Sequence, residues 1–106
     1  MVKFVLTEDD KKEVMSNYFG EFNQKFYDFL KSNVTVSSQE MEGFRHPFVL
    51  LYIDGKSRML NSSKKDLVNK IINTFSEDFP KVSESSLRLT AKKFISDLKK
   101  EYFGED

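Results

Sequence analysis

The chain has no cysteine, one histidine, four glycines and a single alanine among 106 residues. Without cysteine there is no disulfide and no thiolate zinc site. His46 is the only imidazole, so a histidine cluster cannot form. Gly20, Gly43, Gly55 and Gly104 are too scattered to write a P-loop or a dinucleotide fingerprint. There is no Gly-x-Ser-x-Gly elbow to place a nucleophile near His46. No window approaches the about 20 apolar residues of a membrane span. The N-terminal run Met1–Leu6 meets Glu8, Asp9 and Asp10 before it reaches the length of a signal-peptide core. The expectation is a cytoplasmic, intracellular protein with no membrane segment, no cofactor, no metal and no enzymatic activity. On that expectation the sequons at Asn33 and Asn61 are chance matches. One alanine, three arginines and two prolines also point to AT-rich coding, as in many phages and mobile elements.

Large apolar side chains are plentiful. Eleven Phe and four Tyr, with the aliphatics, can build one core in a single domain spanning 1–106. Met15, Phe19, Phe22, Phe26 and Phe29 fall on a 4-3-4-3 spacing and share one side of a helix. Val14, Tyr18 and Leu30 widen that stripe. Thr7 with Asp10 resembles an acidic capping box, so the helix is expected over about 8–31. Before it, Val2, Phe4 and Leu6 alternate as a short strand. The polar stretch Asn33–Gly43 reads as a connection, with room for a short strand at Val34-Thr35-Val36.

Phe48–Ile53, then Asp54-Gly55, then Lys56–Leu60 is the clearest local pattern, because Asp-Gly supplies the positive φ angles of a tight hairpin. The first hairpin strand is apolar on both faces, which calls for cover on both sides; the second is half polar and suits an edge. A helix over about 63–78 carries Leu67, Val68, Ile71, Ile72, Phe75 and Phe79 on one face and stops at Pro80. Another, over about 84–103, turns Leu87, Ala91, Phe94, Ile95, Leu98 and Tyr102 inward and ends at Gly104. The predicted fold is α+β: a small antiparallel sheet, made of the N-terminal strand and the Asp-Gly hairpin, packed with one long N-terminal helix and two C-terminal helices.

Charge is balanced overall, with 17 basic and 17 acidic residues, but it is uneven along the chain. Residues 43–70 hold six bases and two acids between two acidic flanks. Arg45, His46, Lys56, Arg58, Lys64 and Lys65 are therefore the candidate contacts to an anionic partner, a nucleic acid included. Lys56 and Arg58 alternate on one strand, and Lys64 and Lys65 stand where a helix begins. Arg88, Lys92 and Lys99 fall on one side of the last helix. The plain alternative is a solvated face, with His46 an exposed loop residue before Pro47. The acids Glu8-Asp9-Asp10, Glu40 with Glu42, and Glu77-Asp78 read as helix-end or solvated charge. Phe44, Leu89 and Phe103 lie off every assigned apolar face and are the candidates for an exposed patch. The leading expectation is a non-enzymatic binding protein that regulates or inhibits a larger macromolecule, in the manner of phage regulators, with a protein as its partner. A nucleic-acid-binding module and a homo-oligomeric structural protein are the alternatives.

Overall fold

The structure is a computed structural model that describes residues 22–104. The described residues fold as α+β, a three-stranded antiparallel sheet with three α-helices and a short 3-10 turn at Ser76–Asp78. Helix α1 (Gln24–Asn33) leads into β1 (Val34–Gln39), then β2 (Phe48–Ile53), β3 (Lys56–Met59), α2 (Lys64–Phe75) and α3 (Glu84–Phe103). Strand order in the sheet is β1-β2-β3. The strand expected at Val2–Leu6, and the positions Met15, Phe19 and Gly20, lie outside the described residues.

The helix expected over 8–31 is represented among the described residues by α1, which opens at Asn23. Asn23 has an extended backbone (φ −107°, ψ 103°) and its side chain accepts from the Phe26 N–H. An asparagine with a free carbonyl oxygen competes for the first orphan amides and so starts a helix in place of continuing one. Its own N–H donates to the buried Thr90 hydroxyl at 3.0 Å, which ties the start of α1 to α3. Phe26 and Leu30, four residues apart, are fully buried. Phe26 meets Phe79 edge-on at 5.0 Å, and Phe29 meets Phe75 and Phe79 at 5.2 Å each. Phe26 and Phe29 of the stripe therefore belong to the core, whereas Phe22 is half-buried beside Tyr27.

The segment read as a connection is mostly strand. Val34 and Val36 turn toward the core side and stand opposite Ile53 and Leu51, so β1 supplies the second partner that the apolar β2 needs. Asp54 (φ 52°) and Gly55 (φ 77°) make the two-residue hairpin, as the Asp-Gly pair requires. Sequence pattern predicts cover on both faces of β2; among the described residues the helices cover one face. Val49, Leu51 and Ile53 are buried under the helices, but Phe48 and Tyr52 are exposed and Leu50 is half-buried on the open face. β3 is the edge strand, as its polar composition implies.

Ser63 and Ser83 cap α2 and α3 through the amides of Asp66 and Ser86. Gly104 (φ 70°) closes α3 in the left-handed region, its N–H reaching the Lys100 carbonyl. α3 packs on both α1 and α2, and the buried side chains of sheet and helices form one continuous core.

Candidate partner-binding cleft

Beyond β1 the chain must turn back to start β2. It does so through Met41–Phe44, where the Phe44 N–H bonds the Met41 carbonyl at 3.0 Å and Gly43 takes φ 84°. A left-handed third position is the work of a glycine. The turn throws Phe44 outward, where it is 70% exposed. Two residues on, the His46 ring lies against the Phe103 ring with centroids 5.2 Å apart, so the loop is held to the last turn of α3.

Between this loop, the adjoining ends of β2 and β3, and the end of α3 lies a cleft of about 630 Å³. Met41, Phe44, Phe48 and Met59 give it apolar walls, Phe103 forms its back, and Arg45 and His46 stand on its rim. Four of the five large hydrophobic side chains most exposed among the described residues, Met41, Phe44, Phe48 and Met59, converge here; the fifth is Tyr52. Its charged lining among the described residues is basic, Arg45 and Lys99, with the His46 imidazole beside them. Lys99 is already engaged, its ammonium donating to the carbonyls of Leu60 (2.8 Å) and Ser62 (3.0 Å). That leaves Arg45, His46 and the exposed Asn61 amide as the polar side chains available to a ligand among the described residues.

The structure thus brings together Phe44, Arg45, His46 and Phe103 from the sequence candidates, and sets the others elsewhere. Leu89 is half-buried in a smaller depression with Phe22, Lys92, Lys93 and Ser96. Lys56 and Arg58 oppose Ile53 and Leu51, so they share the helix side of the sheet at the margin of β3. Lys64 and Lys65 are exposed at the start of α2. Arg88 is occupied by Glu84 (2.9 Å) and Asn69 (2.8 Å), which with the tethered Lys99 leaves Lys92 as the exposed cation of the three on α3. Met41, Phe48 and Met59 escaped sequence reasoning. The signal for Phe48 was present in the doubly apolar pattern of β2.

Away from the cleft, the Tyr27 hydroxyl donates to the Asp97 carboxylate, joining α1 to α3. Lys93 bonds the same carboxylate at 3.3 Å, and the ammonium groups of Lys93 and Lys31 lie 5.8 and 6.0 Å from the Tyr27 ring centre. Burial, then the hydrogen bond to Asp97, then the charges of Asp97, Asp28 and Glu101 push the Tyr27 hydroxyl up to about 12. Among the described residues no three His, Asp or Glu side chains gather as metal ligands, and no helix is long and apolar enough to cross a membrane. No protein-family model, curated protein or solved structure matches the chain.

Proposed function

We propose that the protein is a small non-enzymatic binding protein that covers a surface on a larger protein and so regulates or inhibits it. The observation that carries the reading is the convergence of Met41, Phe44, Phe48 and Met59, exposed apolar side chains, in one cleft with a basic rim. A fold that needed these side chains for stability would bury them; an apolar cleft with a few polar groups at its edge is the usual form of a recognition site. The partner fitted to it presents a large apolar side chain next to an aspartate or glutamate. The apolar group fills the cleft and the carboxylate meets Arg45 and His46.

Selection of random peptides on the wild-type chain, with counter-selection on a Phe44→Asp/Arg45→Glu variant, tests this. Enriched peptides are expected to pair an aromatic or aliphatic residue with an adjacent acid. Enrichment of basic peptides, or equal retention by the variant, would contradict it.

A nucleic-acid reading keeps one observation in its favour. Lys56, Arg58, Lys64 and Lys65 are all exposed, and none forms an ion pair among the described residues. It requires duplex or single-stranded nucleic acid to bind in a steeply salt-dependent way, and Lys56→Glu/Arg58→Glu to abolish that binding.

A further inference from the structure

We infer that the outer edge of β1 is a self-association seam, at which two copies join their sheets about a two-fold axis through Val36. The two-residue Asp54-Gly55 loop makes Ile53 and Lys56 a hydrogen-bonded pair. Alternation then points the amides of Ile53, Leu51 and Val49 at β3, in keeping with the Leu60 N–H bonding the Val49 carbonyl at 3.0 Å. Tyr52, Leu50 and Phe48 point at β1, and bond Thr35, Ser37 and Gln39. It follows that Val34, Val36 and Ser38 direct their main-chain groups away from the sheet. The Val34 N–H is already satisfied by the Leu30 carbonyl. The Val34 carbonyl and both groups of Val36 and Ser38 form an open ladder among the described residues.

Among the described residues that ladder lacks the usual protection. β1 runs six residues, Val-Thr-Val-Ser-Ser-Gln, in unbroken register with β2, with no charge, proline or bulge. β3, at the other edge, is four residues long and carries Lys56 and Arg58. Charged, short edges resist pairing; long neutral ones invite it.

The surroundings select a second copy as the occupant. The last turn of α1, from which β1 emerges, carries Lys31, and β1 runs out into Glu40 and Glu42. An antiparallel pair lays the basic end of each copy beside the acidic end of the other. Zero net charge removes the general repulsion between copies. Centring on Val36 opposes Val36 to its own copy and Val34 to Ser38. The amides of Val36 and Ser38 then reach the carbonyls of Val36 and Val34, and the half-buried Val36 side chains cover one another. Each interface so formed is isologous and closes at two copies.

Sedimentation equilibrium is expected to approach twice the 12.4 kDa chain mass as concentration rises. Val36→Pro removes an outward N–H without touching the bonds to β2, and is expected to restore the single-chain mass with an unchanged circular dichroism spectrum. Because the chain has no cysteine, cross-linking reports the register independently. Under oxidised glutathione Val36→Cys is expected to form disulfide dimers, since opposed hydrogen-bonded residues lie about 5.5 Å apart at Cα. Ser38→Cys stands four residues of strand from its own copy, about 14 Å, and is expected not to cross-link. A single-chain mass at millimolar concentration, a dimer that survives Val36→Pro, or equal cross-linking at positions 36 and 38 would overturn the seam.

Discussion

Replacing Tyr27 by phenylalanine isolates one of the two polar links between α1 and α3, the other being the Asn23 N–H on the Thr90 hydroxyl. The ring and its edge-on contact with Phe94 at 5.8 Å survive the change; the hydrogen bond to Asp97 does not. A hydrogen bond to a charged acceptor contributes about 1.5–3 kcal/mol. Asp97 is 42% exposed, and solvent there replaces part of the loss. The expected net cost of Tyr27→Phe is about 1 kcal/mol, or a melting temperature lower by about 4–6 °C in a domain of this size. The pH dependence has a defined sign. The Tyr27 hydroxyl is held up to about 12, above the 10.0 of a free phenol, so its proton stabilises the folded state. That contribution is complete below pH 10 and is lost as pH rises from 10 through 12. Lysines titrate in the same window but are common to both chains, so the comparison between wild type and Tyr27→Phe removes them. Thermal melts followed by circular dichroism are expected to show a gap between the chains at pH 7 that closes above pH 10. Equal melting temperatures at pH 7, or a gap that stays constant to pH 12, would refute the link.

Other substitutions separate core, strap and turn. Phe26→Ala empties a fully buried site against Phe79 and is expected to cost about 3–5 kcal/mol, read from the urea midpoint. Lys99→Met keeps the aliphatic stem but strips the Leu60 and Ser62 carbonyls of their donor, with an expected cost of about 1–2 kcal/mol in the same assay. Gly55→Ala places a Cβ at φ 77°, where nothing crowds it but the backbone itself is disfavoured. The expected loss is about 1–2 kcal/mol with β2 and β3 still paired by amide exchange.

Local chemistry made much of the fold legible. Asp54-Gly55 demands positive φ wherever it sits, one of Asn61, Ser62 and Ser63 and one of Ser83 and Ser85 offer oxygens to free amides, and Gly104 permits a left-handed stop, so the hairpin, α2 and α3 could be placed without knowing what they touch; the structure selects Ser63 and Ser83 as the caps. β1 was less legible because Thr35, Ser37, Ser38 and Gln39 are polar. Only Val34 and Val36 alternate, and strand pairing there comes from the free margin of β2, far along the chain. Asn23 also hid inside an apolar stripe whose period does not register a cap. The cleft was half visible. Phe44 and Phe103 stood off every apolar face and Arg45 and His46 opened the basic stretch. Their meeting depends on the end of α3 reaching the 40–47 loop, a long-range contact that no spacing encodes. Leu89 was chosen on the same grounds as Phe44 and Phe103, yet its turn of α3 faces another side of the molecule.

The central claim is that the cleft serves a partner and not the stability of the chain. The direct test is a titration of the most enriched acidic-apolar peptide against wild type and Phe44→Ala, with melting temperatures taken on the same samples. Phe44 is 70% exposed, so its loss is expected to change stability by no more than about 0.5 kcal/mol. As an anchor in the recognition site it is expected to weaken binding by about 2 kcal/mol, roughly thirtyfold. Equal affinity for the two chains, or a Phe44→Ala chain that loses its fold along with its binding, would contradict the account.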